Sequence, residues 1–501
     1  MGVGLVVRLF LISYLYRRLG RADFGVYQVC ISVTAMTAFL RFGLGGSVLR
    51  LASECISAAD WQRLSGVLSI VRTIAVVMGG IALVLAVAAS VWALEVLGIP
   101  AENRAGAAVL IQLTGISAAC QILGIPYLGM LRAAQRYYFA NTILVGENLV
   151  RLGLVVVLFQ WGMVGLRPLG IAVAIPAVLM VMLASFMMRR VLPQVRLSFR
   201  QFSRKRLREV FGFASWIALA NVARVVHLQI VAPLISALIG IEAVPLVVVP
   251  RQIALQMVQA VSGFTQPARP IATNLAVTQQ GHRLAIFYQM LLRFCGIMVV
   301  GLVVLLIVFG RPVIQYLTDA RMAEESYTVF IVLVTLVGVW LLGMPGEELI
   351  MGVGSVRGIT LFRGAMFALG VVLAVAAVWT GWGLIGLVAG LYGPLVLHAL
   401  LYVSWRVRQE TGVRVWRTLG YGVLPPVALG VAVGGLGAAL KYAWYPPNIF
   451  WTIAEMGLLG VSYLLAAWAL ILTVDERRMI RSLLPGGRRG GMAATEDGDA
   501  E

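Results

Sequence analysis

Charge is what this chain has least of. Only 12% of its 501 residues are charged, and acids are the scarcer sign, with 21 Asp and Glu against 40 Lys and Arg. No stretch between its apolar runs is long enough to fold as a soluble domain, which excludes an enzyme with its own water-soluble catalytic module. Cysteine is sparse as well. Cys30, Cys55, Cys120 and Cys295 have the spacing of neither a zinc site nor a disulfide framework, so they read as packing residues. Residues 1–5 lack the basic n-region of a secretory signal, and no cleavage site follows.

Apolar sequence is what the chain has in abundance, with 60% of its residues hydrophobic. A helix needs roughly 20 mostly apolar residues to cross a bilayer. Runs of this kind predict an all-α polytopic membrane protein of about 14 transmembrane helices, at 3–17, 24–45, 72–94, 105–128, 139–161, 166–188, 211–239, 243–266, 286–309, 326–349, 359–380, 383–404, 419–440 and 449–472. The first run is short before Arg17, so the expectation is a start, or an amphipathic lead-in, upstream of Met1. Residues 485–501 are rich in Gly, Arg and acids and are expected to be disordered.

The net charge of +19 would suit a nucleic-acid partner, but its distribution excludes one. Most Lys and Arg fall in the loops after even-numbered spans or in the tail. That alternation is the positive-inside pattern of membrane topology. It places loops 41–71, 189–210 and 405–418, and both termini, in the cytoplasm. The densest run, Arg189–Arg208, reads as an anchor on anionic head groups.

An internal repeat is visible. Trp161-Gly162-Met163-Val164-Gly165-Leu166 recurs 221 residues later as Trp382-Gly383-Leu384-Ile385-Gly386-Leu387. Met130 and Arg136 recur as Met351 and Arg357, and Arg72 as Arg293, at the same offset. These matches divide the chain into a six-span half at 1–188, a basic linker at 189–210 and a second six-span half at 211–404. An even number of spans makes the halves parallel repeats, a build in which transporters bind substrate near midplane where the halves meet. An extra helix pair at 419–472 and a cytoplasmic tail at 473–501 stand outside the repeat. Pro126, Pro176, Pro233, Pro250, Pro345 and Pro394 interrupt backbone hydrogen bonding inside or near spans, as static kinks or as movable joints.

Charges inside the spans mark where chemistry is done. An arginine at the centre of a span costs roughly 2.5–3.5 kcal/mol on insertion scales, so it must face a partner or a wet cavity. Arg224 lies deep in the seventh span, where Asn221, Arg224 and His227 share one helix face. Arg251 follows Pro250 early in the eighth span, and Gln252, Gln256 and Gln259 form a second polar face. Arg8 sits midway along the first span. Each has a structural alternative, a bond to carbonyls or to a carboxylate, or snorkelling to the interface. Glu147 and Arg151, at i and i+4 on the fifth span, read first as a mutually neutralising pair and second as gating or coupling groups. Candidate buried cations outnumber unpaired buried acids. A cationic cavity predicts an anionic substrate, and the forked guanidinium suits phosphate.

Four segments carry a family likeness. Tyr14-Leu15-Tyr16-Arg17-Arg18-Leu19-Gly20-Arg21-Ala22-Asp23-Phe24-Gly25-Val26-Tyr27 contains a Leu-Gly-x-x-Asp-Phe-Gly-x-Tyr turn. The others are Phe42-Gly43-Leu44-Gly45, Gly129–Arg136 and Phe264–Arg283. On these residues the chain resembles the bacterial lipid-linked oligosaccharide (O-antigen or polysaccharide repeat-unit) flippases of the multidrug/oligosaccharidyl-lipid/polysaccharide exporter superfamily.

The resemblance implies a V-shaped pair of six-helix bundles in the bacterial inner membrane. It implies alternating access that carries polyprenyl-pyrophosphate-linked oligosaccharide from the inner to the outer leaflet, for polysaccharide or lipopolysaccharide biosynthesis. Lipid-linked oligosaccharide, membrane lipids, a polysaccharide polymerase and glycosyltransferases are the partners it implies. Arg8 and Arg251 fall on helices where such flippases place cavity arginines. Where relatives commonly carry an Asp in the seventh helix, this chain has His227 and Gln229, which weakens the case for cation coupling there. No cofactor is expected, and the driving force, a coupling ion or the membrane potential, stays open. Two other readings remain. A drug/cation antiporter would want buried acids, and a polytopic polymerase or ligase would want a sizeable loop bearing catalytic carboxylates.

Overall fold

The computed structural model describes residues 2–41, 44–195, 222, 225–278, 280–354, 356–413, 420, 422–443, 448–474 and 476–478. In chain order its helices are α1 (Gly2–Met36), α2 (Leu44–Ser57), α3 (Trp61–Val96), α4 (Ala101–Ala133), α5 (Tyr137–Gln160), α6 (Leu166–Val191), α7 (Val231–Leu238), α8 (Val244–Thr265) and α9 (Ala268–Val277). They continue as α10 (Gly281–Leu317), α11 (Ala320–Leu341), α12 (Met344–Val353), α13 (Val356–Trp379), α14 (Gly383–Leu397), α15 (Ser404–Thr411), α16 (Leu424–Ala443) and α17 (Ile449–Leu470). Among the described residues there is no strand, and 12 helical stretches are long and apolar enough to cross a membrane.

Two observations account for the difference from fourteen. The first two runs are two helical segments that run together as α1, with a 3-10 turn at Thr37–Arg41 after the second. Gly20 breaks the helix between them, its non-helical φ 79° and ψ 175° being a conformation that glycine adopts without a Cβ penalty. Of the seventh run, residues 211–221, 223 and 224 lie outside the described residues, as do the basic linker from 196 and the tail from 479.

The chain forms two compact units. The first comprises residues 1–259, 313–340 and 355–403. Its hub is α4, which packs against α1, α2, α3, α5 and α6. Small residues let these backbones approach. A Cβ on Gly115 would lie 2.3 Å from the Ala86 Cβ, so α3 and α4 touch closely there. Lipid offers membrane helices no hydrophobic drive to associate, so close packing of this kind supplies the attraction.

The sequence reads 41–71 as a loop, but it holds α2. Leu44, Val48, Ala52 and Cys55 are buried along one face, while Arg50 and Glu54 stay exposed and pair with each other. That is the pattern of a surface helix with one apolar stripe. Further along, α13 packs on α14. After Pro394 the helix passes into a π segment, His398–Val403.

The second unit comprises residues 260–312, 341–354 and 404–501. Here too a stretch that reads as a loop holds a short helix, α9. It packs on α12, with Arg269 and Glu348 paired at 2.8 Å and the Thr273 hydroxyl donating to the Gly352 carbonyl at 2.9 Å. Residues 268–277, shifted back by 221, fall on 47–56, inside α2. The extra pair, α16 and α17, also lies against α10, where Tyr463 covers Gly301 and Val304 meets Gly430 and Gly434. At one end of this packing Arg293 and Glu476 pair at 2.9 Å, both largely buried.

Candidate functional site

The predicted site residues divide into those the structure describes and those it does not. Asn221 and Arg224 lie outside the described residues. Arg8 falls on the helical backbone of α1, and its side chain is outside the described set. His227, Arg251, Gln252, Glu147 and Arg151 are all described, and they form two groups in the first unit.

The first group joins the segment before α7 to α8, α13 and α14. Arg251 lies in the second turn of α8 and is 7% exposed. Its Nε donates to the Tyr392 hydroxyl at 3.0 Å, and a terminal nitrogen donates to the Leu228 carbonyl. His227 is 3% exposed. Its ring stacks on Phe367 with centroids 4.2 Å apart and meets the Tyr392 ring edge-on at 5.5 Å. Among the described residues neither ring nitrogen of His227 has a hydrogen-bond partner. An imidazole buried without partners forfeits its water hydrogen bonds. His227 and Arg251, both singled out in the sequence, are thus buried side by side around one tyrosine. Tyr392, which connects them, was missed because a tyrosine in an apolar run looks like core.

Gln252 is half-buried, and its carbonyl accepts from the Gln256 side chain at 3.2 Å. On α8, Ile253, Ala254, Met257 and Val261 are buried, whereas Gln252 and Gln256 are half-buried and Gln259 is exposed. The glutamines thus occupy the more accessible face of the helix.

The second group lies between the end of the first span, α4 and α5. Glu147 and Arg151 pair at 2.8 Å, one turn apart, with side-chain exposures of 7% and 24%. The carboxylate also acts electrostatically on Arg41. The Arg41 guanidinium donates to the Gln121 side-chain oxygen on α4. Arg41 was not among the predicted residues. Its signal was nonetheless present, since it is the only Lys or Arg between Arg21 and Arg50. Two guanidiniums and one carboxylate leave this group with a net positive charge. Among the described residues no set of three or more His, Cys, Asp or Glu is placed to hold a metal ion.

No protein-family model matches the chain, and no curated protein matches it. Solved structures do. A multidrug-resistance MATE transporter of the MOP superfamily in its inward-facing conformation aligns with a TM-score of 0.72 at 15% identity, covering 81% of this chain and 96% of that one. The chain has the fold of the MOP-superfamily transporters. Lipid II flippase MurJ in an inward closed conformation aligns with a TM-score of 0.70 at 14% identity, covering 93% of this chain and 96% of that one. A MOP-superfamily transporter from Pyrococcus furiosus Vc1 (DSM3638), described as having a binding pocket of reverse polarity that suggests a different function, aligns with a TM-score of 0.62 at 16% identity. It covers 82% of this chain and 93% of that one.

Proposed function

We propose that this protein is a flippase that moves a polyprenyl-pyrophosphate-linked oligosaccharide from the inner to the outer leaflet by alternating access. The observation that carries the reading is Arg251, 7% exposed, whose guanidinium among the described residues bonds the neutral Tyr392 hydroxyl and Leu228 carbonyl rather than an acid, while Arg151 is neutralised by Glu147. A guanidinium without an acid partner inside a low-dielectric layer favours an anionic cargo, and pyrophosphate offers oxygens in the geometry the fork recognises. The MATE and MurJ folds both support the transport class, and the choice of a lipid-linked cargo over a drug rests on Arg251. In this reading Arg8, Arg224 and Arg251, with Asn221, His227 and Gln252, bind the cargo, and Glu147 and Arg151 gate or couple its movement.

The test is reconstitution. Purified protein in vesicles carrying a fluorescent polyprenyl-pyrophosphate sugar should accelerate the loss of label protected from an external quencher. Vesicles that show no such acceleration, but expel ethidium against a proton or sodium gradient, would assign the protein to the drug-antiporter class instead.

A further inference from the structure

The turn that carries the family likeness, residues 14–27, has contacts that the cargo site does not explain. Several of its residues are engaged with other segments of the first unit. The Tyr16 hydroxyl donates to the Asp319 carboxylate at 2.9 Å. Arg17 donates to the Tyr316 carbonyl at 2.7 Å. Arg21 donates from Nε to the Glu242 carbonyl at 2.9 Å and pairs through a terminal nitrogen with Glu325 at 2.7 Å. Glu325 is held from the other side by Arg321 at 2.8 Å. Asp23 accepts from Asn103 of α4 at 2.9 Å, which fixes the turn to its own side of the molecule.

Shape agrees with charge. Phe24 is fully buried. Gly25 sits so close to the turn between α7 and α8 that a Cβ there would lie 2.5 Å from the Ile241 carbonyl oxygen. A second contact lies nearby, where the Ser236 hydroxyl of α7 donates to the Leu97 carbonyl at the end of α3. All of these residues lie at span ends that the charge pattern assigns to the outside of the cell. Every long-range partner named here, Asn103 apart, joins a segment before residue 190 to one after residue 230.

We propose that this cluster is the outer gate of the transport cycle. Tyr16, Arg17 and Arg21 on one side, and Glu242, Asp319 and Glu325 on the other, form a polar latch that must part before cargo leaves for the outer leaflet. The inference rests on the transport reading but not on the identity of the cargo. Three features suit the role. The Arg21 and Glu325 side chains are 26% and 33% exposed, and partly exposed ion pairs are individually weak, so a set of them closes firmly yet parts without breaking a core. A cavity of about 420 Å³, lined by Tyr16, Arg17, Gly20, Arg21, Thr318, Asp319, Arg321 and Met322, brings solvent to the pairs. Gly20, at φ 79° with open space where a Cβ would be, gives α1 a joint beside the latch.

The experiment measures the gate directly. Spin labels on cysteines at Ala101 and Ala320, both exposed, in a chain freed of its native cysteines, report the distance between the two sides by pulsed electron resonance. The unmutated latch should give one short distance. Arg21→Ala, Glu325→Gln and Tyr16→Phe should each add a longer population, and so should molar salt, which screens ion pairs. A disulfide between Tyr16→Cys and Asp319→Cys should remove the longer population and stop transport until reduced. Distance distributions unmoved by all three substitutions and by salt would overturn the gate. Distances that move while reconstituted protein carries no lipid-linked sugar would leave the gate standing and overturn the cargo.

Discussion

Arg251 and Tyr392, 141 residues apart in sequence, are joined by a hydrogen bond of 3.0 Å. With its second bond, to the Leu228 carbonyl, Arg251 ties three segments of the first unit together. The arginine is therefore both a structural tie and the best-described cation of the proposed cargo site. The two roles make different demands on substitutions.

Removing the guanidinium leaves the phenol and the carbonyl without their donor, at about 1–3 kcal/mol for each buried group left unpaired. Tyr392→Phe leaves the Arg251 Nε–H without its acceptor and should cost about 1.5–3 kcal/mol, the range for a hydrogen bond to a charged group. Thermal unfolding in detergent should rank Arg251→Ala below Arg251→Lys, and that below Tyr392→Phe. Polysaccharide export should fail in Arg251→Ala, persist in part in Arg251→Lys because an ammonium lacks the fork, and stay near normal in Tyr392→Phe. An Arg251→Ala protein present at the usual level and exporting at the unmutated rate would reduce this arginine to a tie.

His227 is held by ring contacts rather than hydrogen bonds. Phenylalanine keeps the stacking on Phe367 and removes two buried polar atoms. His227→Phe should therefore raise the thermal midpoint, since an unpaired buried polar group is a net cost. On the proposal that His227 belongs to the cargo site, the substitution should also slow transport. A variant that is more stable and fully active would show that the histidine serves packing alone.

Glu147 neutralises Arg151 and acts on Arg41. Breaking a fully buried pair costs about 3–5 kcal/mol through the charge left behind. The partial exposure of Arg151 puts the expected loss for Glu147→Gln below that range. Glu147→Gln should lower the amount of inserted protein, and Glu147→Gln with Arg151→Gln should recover most of it. A double-mutant cycle on unfolding should give a coupling of about 0.5–3 kcal/mol. Additive effects would mean that the pair is not energetically coupled.

The helical class and most spans were legible because a bilayer imposes long, uninterrupted apolar runs. The short helices α2 and α9 were not, since a helix lying at a surface needs only one apolar face and reads locally as a polar loop. In α2 that face is Leu44, Val48, Ala52 and Cys55. The charged residues inside spans stood out individually, but their partners did not. Tyr392, Gln121 and Asp319 are unremarkable in sequence and become meaningful only when folding brings them to Arg251, Arg41 and Tyr16. The 221-residue offset reached further than its first matches, because α9 falls on α2 when shifted by that amount. We propose that the repeat includes these surface helices.

That proposal fixes a sidedness. If α2 and α9 are equivalent, both lie on the cytoplasmic face, and the turns holding Trp161 and Trp382 lie on the outer face. Both tryptophans are more than two-thirds exposed, at 73% and 70%, as befits aromatic anchors at the head-group level. In a chain without Cys30, Cys55, Cys120 and Cys295, a cysteine at Trp161 or Thr380 should react with a membrane-impermeant maleimide on intact cells. A cysteine at Glu54 or Thr273 should react only after the cells are opened. Labelling of both the Glu54 and Thr273 positions from outside would invert the topology. The Tyr16–Asp319 cluster would then sit on the cytoplasmic side, as an entry gate rather than an exit. Labelling of one of these two positions but not the other would break the equivalence of α2 and α9, and with it the parallel repeat.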